Sequence, residues 1–176
     1  MLVGFAGAKR AGKDVAASHL IASHGFVKYA FATPLKQMCQ GLFGLTDDQV
    51  DGGSKDQVAA RYGITPRRIM QMVGTDCIRT ISPTFWTDAF DVWLSETRGS
   101  VVVSDVRFQN EVDLIHKRGG RVFLLTRECC DTCDRHISEQ ARTLVGVDGV
   151  IRNEGSMADL WRAVDRTVMS DALKSV

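Results

Sequence analysis

Several things are scarce in this sequence, and each scarcity excludes something. No apolar run approaches the roughly 20 residues of a membrane-spanning helix, so no membrane partner is expected. Charge of one sign is missing: 22 Lys and Arg stand against 21 Asp and Glu, a formal net charge of +1. That balance argues against a strong general attraction to nucleic acid or an anionic membrane. Cysteines are five, an odd number, at Cys39, Cys77, Cys129, Cys130 and Cys133. Three crowd one stretch of a 176-residue chain, which does not read as a disulfide framework, and a reducing cytosol is expected. The apolar start, Met1 to Ala6, precedes the Lys9-Arg10 pair, the reverse of a secretory leader. There is no internal repeat, low-complexity tract or interdomain linker. Ordinary apolar and charged fractions, 44% and 24%, predict one globular domain over 1–176 with a sizeable core.

What is present begins with Gly7-Ala8-Lys9-Arg10-Ala11-Gly12-Lys13-Asp14. An apolar strand candidate precedes it and a helical pattern from Val15 to His24 follows. Strand, glycine loop, helix is the context in which G-x-x-x-x-G-K cradles phosphate. Gly7 and Gly12 permit backbone angles that a side chain forbids. The main-chain N–H groups then meet an anion at a helix N-terminus. Lys13 adds a mobile positive charge for the outer phosphates of a nucleotide, and Lys9 and Arg10 add to it. Asp14 stands where Ser or Thr ordinarily reaches Mg²⁺. Its carboxylate either touches the metal, directly or through water, or holds the loop.

Along the chain, strands and helices alternate. Residues 2–6 read as a buried strand. Residues 12–24 read as a helix with Val15, Ala16, His19, Leu20 and Ser23 on one side, stopped by Gly25. A short strand over 26–31 follows. Thr33 as cap and Pro34 at the first helical position predict a helix to Phe43, closed by Gly44. Residues 46–65 read as a mobile polar excursion with one helical turn around 58–61. Thr65-Pro66 restarts a helix with Ile69, Met70, Met72, Val73 and Ile78 on its apolar side, interrupted by Gly74. Ser82-Pro83 breaks it, and residues 88–97 form another helix with Ala89, Val92 and Trp93 inward. Val101-Val102-Val103 is a strand buried on both faces. A helix over 110–117, a strand over 121–125, a polar loop over 127–140, a strand over 149–152 and a helix capped by Ser156 complete the chain. The last helix carries Leu160, Val164 and Val168 inward. The pattern predicts a three-layer α/β domain, a mainly parallel sheet with helices on both faces and right-handed crossovers. In such folds ligands bind beyond the carboxyl ends of the strands, where the glycine loop, Asp105 and Arg127 fall.

Asp105, at the end of the 101–103 strand, can bind Mg²⁺ or take a proton from an attacking phosphate oxygen. Arg107 can clamp an acceptor phosphate through two N–H bonds. Arg127, Arg135 and His136 lie in the 127–140 loop, a lid candidate for stabilising charge and excluding water. Lys36, Arg67, Arg68 and Arg79 are cations for the acceptor phosphate, and Trp86 is either a base-stacking ring or core. Cys130-x-x-Cys133-x-x-His136 offers three zinc ligands without a good fourth. His19 and His24 read as structural or exposed.

The ordered set of motifs resembles phage deoxynucleoside monophosphate kinases. Residues 7–14 look like their K-R-x-G-K-D loop, and Phe31-Ala32-Thr33-Pro34-Leu35-Lys36 resembles their F-A-x-P-L-K. Thr65-Pro66-Arg67-Arg68, Gly74-Thr75 and Phe85-Trp86 are similar to their T-P-R, G-T and F-W elements. Ser104 to Glu111 resembles S-D-V-R-F-x-N-E, and His136 to Glu139 resembles H-x-S-E. The resemblance implies a P-loop kinase fold and transfer of phosphate from ATP, with Mg²⁺, to a deoxynucleoside monophosphate. It further implies a cytoplasmic site of action, a host's cytoplasm if the chain is phage-encoded. Combined with the residue reading, Gly7, Ala8, Lys9, Arg10, Ala11, Gly12, Lys13, Asp14 and Val15 are expected to hold ATP. Asp14 and Asp105 are expected at the metal. Lys13, Asp105, Arg107 and Arg127 are expected to carry catalysis. Lys36, Arg68, Gly74, Thr75, Arg79, Trp86, Asp105, Arg107, Asn110 and Glu111 are expected at the acceptor, within a helical region over about 33–98. A kinase for another small acceptor or a modified base, and a non-catalytic nucleotide-binding regulator, remain as alternatives. Base preference and pairing into a homodimer stay open.

Overall fold

Six buried residues in a row, Leu2–Gly7, form β1. A strand buried on both faces belongs inside a sheet that helices cover on each side. The computed structural model, which describes residues 1–128 and 143–169, has that arrangement. Five parallel strands run in the order β2-β3-β1-β4-β5. Here β2 is Val27–Tyr29, β3 is Val101–Val106, β4 is Arg121–Thr126 and β5 is Gly149–Arg152. The expected three-layer α/β architecture is therefore present, with every strand pair parallel.

The chain divides into two compact units, 1–30 with 91–176, and 31–90. In the first, α1 (Lys13–His24) and α8 (Met157–Val164) cover one face of the sheet. Ala16, Ala17, Leu20, Leu160 and Val164 pack there with Val3, Phe5, Val102, Phe123, Leu125 and Ile151. Phe5, fully buried, contributes roughly 2–3 kcal/mol by leaving water. The preceding residue along β1, Gly4, points the other way, toward α7 (Gln109–Lys117). A Cβ on Gly4 would lie 2.8 Å from Ile115 Cδ1, so glycine is what lets α7 sit close.

The second unit is helical. It contains α2 (Ala32–Phe43), α3 (Asp47–Val50), a 3₁₀ turn at Gly53–Asp56 and α4 (Pro66–Gln71). α4 continues through a π-helical stretch, Met72–Ile78, into α5 (Arg79–Ile81). α6 (Phe85–Glu96) starts in this unit and ends in the other. Cys39, Leu45, Val50, Ile69 and Met70 form the unit's core.

Several local expectations need correction. In α1, Ala17 is buried and Ser23 is exposed. α2 begins at Ala32, with no side-chain cap from Thr33. Pro34 sits in the first turn, where a missing N–H costs nothing. The 46–65 excursion has ordered turns, one of them close to the expected helical turn, where the Tyr62 and Gly63 N–H groups both donate to Ala59 O at 2.9 Å. Thr46 and Gln49 close a capping box that starts α3, while Ala59 bridges Ile64. The helix expected over 88–97 starts at Phe85, because Trp86 and Phe90, four apart, set its buried face with Thr87. Ala89 and Val92 are consequently exposed. In α4 and its continuation, Ile69 and Met70 are buried but Met72 is exposed. β3 runs on through Ser104 and Asp105 to Val106. Among the described residues, no helix is long and apolar enough to cross a membrane.

Candidate active site

β1 ends in Gly7, which adopts φ +143° and pairs with Leu125 of β4. A Cβ here would stand 2.4 Å from the Leu125 carbonyl oxygen, so only glycine fits the close pass between strands. The chain turns through Ala8 to Gly12, and Gly12, at φ +103°, leads into α1. Arg10, at φ +67°, is the one non-glycine residue with positive φ among the described residues. A left-handed arginine costs on the order of 1 kcal/mol, which is the kind of strain that collects at ligand sites. Lys13 folds back over the loop, and its Nζ donates to the Gly7 and Ala8 carbonyl oxygens at 2.7 Å each. Its ammonium is thereby fixed above the turn rather than spread into solvent. Asp14, in the first turn of α1, is exposed and forms an ion pair with Lys28 at 3.2 Å.

A cleft of about 390 Å³ opens over this loop. Arg10, Gly12, Lys13, Asp14 and Val15 form one side. Arg127, just beyond β4, and Asn153, just beyond β5, form part of the other, with Met157 and Leu160 supplying apolar surface. Asn153 is a residue the sequence did not flag. It is buried, its backbone N–H donates to Thr126 O at 2.8 Å, and its amide donates to Ala11 O at 3.0 Å. It also lies where a Cβ on Gly12 would be, 2.5 Å from Nδ2. Asn153 therefore props the glycine loop from the far edge of the sheet.

At the carboxyl end of β3, Asp105 is half-buried and Arg107 begins the turn into α7. The Arg107 and Phe108 backbone N–H groups both donate to Glu111 Oε2, at 2.7 and 3.2 Å. Glu111 is only 1% exposed, so its carboxylate is committed to shaping that turn. Asn110 stands half-buried beside it in the first turn of α7. Burial, then the negative charges of Asp105 and Glu111, push the Tyr29 phenol up to about 12. Tyr29, packed on Trp93 with ring centres 4.8 Å apart, is a second residue that the sequence reading missed. The glycine loop, Asp105, Arg107, Arg127 and Asn153 all fall at the carboxyl edge of one parallel sheet, where α/β folds bind ligands.

In the helical unit, Lys36 pairs with Asp51, Arg67 with Asp56, and Arg68 with Asp76. Thr75, midway along the π-helical stretch, and Arg79, the first residue of α5, are half-buried. Gly74 is buried, and a Cβ there would meet Leu35 Cδ2 at 2.6 Å. Its carbonyl accepts the Trp86 indole N–H at 3.0 Å, and Trp86 is 4% exposed. Gly74 and Trp86 thus lock two helices of this unit together. Arg135 and His136, most of the 127–140 loop, and the zinc grouping of Cys129, Cys130, Cys133 and His136 lie outside the described residues.

A family model for deoxynucleotide monophosphate kinase matches residues 55–164. A provisionally named deoxynucleotide monophosphate kinase of Acanthamoeba polyphaga mimivirus is 35% identical over 93% of this chain and 94% of its own length. The chain belongs to the deoxynucleotide monophosphate kinase family. Phage members are more distant: the Escherichia phage RB69 enzyme is 29% identical over 57% of this chain and 43% of its own length. The fold itself is shared more widely. Shikimate kinase from Aquifex aeolicus superposes with a TM-score of 0.52, at 17% identity, over 98% of this chain and 99% of that one. Dephospho-CoA kinase from Campylobacter jejuni does so with a TM-score of 0.52, at 12% identity, over 96% of each. The family and fold together make the chain a nucleotide-using phosphotransferase.

The site fits the groups such an enzyme uses. Main-chain N–H groups, an ammonium and Arg10 around a turn that tolerates no Cβ suit a polyphosphate. Asp14 and Asp105 are hard oxygen donors of the kind Mg²⁺ takes.

Proposed function

We propose that this family member transfers the γ-phosphoryl group of ATP to a deoxynucleoside 5′-monophosphate, giving the diphosphate and ADP. The bond broken joins the β,γ-bridging oxygen to the γ-phosphorus; the bond formed joins that phosphorus to an oxygen of the acceptor phosphate. The observation that carries this reading is Lys13, held by two carbonyl oxygens over a glycine loop at the carboxyl edge of β1.

In this reading, Gly7 to Val15 grip the ATP phosphates, and Lys13, held over the loop, sets its charge against the transferred group. Mg²⁺ would be held by Asp14 and Asp105, neutralising charge between phosphate oxygens. Asp105 also orients the attacking oxygen. Arg127 stabilises charge on the γ-phosphoryl oxygens. Arg107, set by Glu111, clamps the acceptor phosphate. Asn110 contributes beside Arg107; in the helical unit, Lys36, Arg68, Arg79 and Thr75 are the candidates for acceptor contacts, with Gly74 and Trp86 shaping the helices that carry them. There is little covalent work for protein groups in phosphoryl transfer, so positioning and charge stabilisation dominate. The partners in this reading are small nucleotides in a cytoplasm.

A panel of deoxynucleoside and ribonucleoside monophosphates, incubated with ATP and Mg²⁺, tests it. ADP and a deoxynucleoside diphosphate are expected in equal amounts. ADP formation with none of the monophosphates would overturn the proposal.

A further inference from the structure

The far end of α1 carries a second cluster of donor groups that phosphate transfer does not use. His24 is the last residue of α1 and His19 stands five residues earlier. Opposite them, the π-helical turn Asp165–Met169 that follows α8 begins with Asp165. Both imidazoles direct Nε2 at one carboxylate oxygen, Oδ1, at 2.9 Å from His19 and 2.8 Å from His24. The three ligating atoms lie within 4.8 Å of one another.

We propose that His19, His24 and Asp165 form a binding site for a divalent transition metal ion of the zinc class. A tetrahedral Zn²⁺, with metal–ligand bonds of about 2.0–2.1 Å, spaces its ligands roughly 3.3 Å apart. The observed 2.8 and 2.9 Å separations open by a few tenths of an ångström, and the widest pair, within 4.8 Å, closes by up to about 1.5 Å as the partly exposed His24 and Asp165 side chains turn inward. Two imidazole nitrogens and one carboxylate oxygen suit Zn²⁺, Co²⁺ or Ni²⁺, whereas Mg²⁺ favours oxygen alone.

The surroundings of His19 add an independent reason. Its ring stacks on Trp161, with centres 5.5 Å apart and planes 9° apart. Its Nδ1 lies 3.3 Å from Ser23 Oγ. An imidazole that ligates through Nε2 carries its proton on Nδ1, and a partner at that atom fixes both tautomer and orientation. Ser23 and Trp161 supply that support. The side chains of His19, His24 and Asp165 are 11%, 28% and 43% exposed, so solvent can complete the fourth position.

His19 and His24 lie six and eleven residues past Lys13 on α1, about 9 and 16 Å along its axis. The ion would therefore not enter the chemistry. It would clasp the end of α1 to the turn after α8, and bind with stabilisation of the folded chain.

The test uses the full chain with Cys77, Cys129, Cys130 and Cys133 replaced by serine, which leaves only the buried Cys39 as a thiol, and with excess Mg²⁺. Co²⁺ is titrated in, read by visible d–d absorption and by melting temperature. One equivalent is expected to bind, to raise the melting temperature, and to bind at least tenfold more weakly to His24→Gln and to Asp165→Asn. Phosphate transfer should be unchanged in both variants. No Co²⁺ binding in the serine background, or binding of undiminished affinity in the folded His24→Gln chain, would overturn the site.

Discussion

In the α/β unit, several groups at the carboxyl edge of the sheet are gripped by main chain. Lys13 donates to Gly7 O and Ala8 O, Asn153 to Ala11 O, and Glu111 accepts two backbone N–H groups at the Arg107 turn. In the helical unit, three cations are held instead by carboxylates: Lys36 by Asp51, Arg67 by Asp56 and Arg68 by Asp76. Main-chain partners cannot turn away without backbone movement, so the first arrangement is preorganised. The aspartates of these pairs face solvent, where such partners exchange more readily, so a phosphate can replace an aspartate on an arginine. Under the proposed function, the α/β unit would hold one polyphosphate in one pose, and the cations of the helical unit would exchange their aspartates for phosphate.

The largest effect that bears on this contrast is at Lys13. Lys13→Ala should lower turnover by roughly 10³-fold or more, with circular dichroism unchanged. Near-normal rates would show that the held ammonium is not a catalytic element. Next comes Gly7. A methyl group would press on the Leu125 carbonyl at a backbone angle that L-residues avoid, so Gly7→Ala should cost about 2–4 kcal/mol in urea unfolding. Loss of less than about 1 kcal/mol would mean that the loop relaxes and is not rigid.

The helical unit should answer differently. Arg68→Ala should raise the acceptor KM about 10- to 100-fold while leaving the KM for ATP within a few-fold. Asp76→Asn should change stability by under about 1 kcal/mol, since its ion pair with Arg68 is half-exposed on both sides. A large stability loss from Asp76→Asn would make the pair structural and remove the exchange idea. The smallest effect concerns Tyr29, whose folded pKa of about 12 exceeds its ordinary value of 10. The neutral phenol's contribution is complete below pH 10 and is lost as pH rises from there through about 12. Tyrosinate absorbance should show one late-titrating tyrosine in the folded chain, and Asp105→Asn should bring its midpoint down. Titration of Tyr29 at the ordinary value would place Asp105 and Glu111 too far away to act on it.

Much of the α/β unit could be read in advance, because its signals are local. The 149–152 strand, the apolar run of β1 and the Gly25 stop, at φ +68°, are each written in adjacent residues. The glycine loop is equally local. Asn153 was not legible: it contacts a carbonyl 142 residues away, and no short pattern announces that. Nor was the Arg10 backbone angle, since arginine carries no preference for it. In the helical unit, the π-helical stretch at Met72–Ile78 shifts the phase of the apolar residues after Gln71. A regular 3.6-residue stripe therefore put Met72 inside, where the chain leaves it exposed. Glu111 was expected at the acceptor as part of a motif, and its carboxylate accepts two backbone N–H groups of the neighbouring turn.

A calorimetric titration of ATP with Mg²⁺ into the wild-type chain and into Lys13→Ala asks most directly whether the loop at Gly7 to Asp14 grips a triphosphate. Saturable binding of one ATP by the wild type, weakened at least tenfold in the variant, is the predicted result. Equal affinity in both chains, or no affinity for ATP or any other nucleoside triphosphate in the wild type, would contradict it.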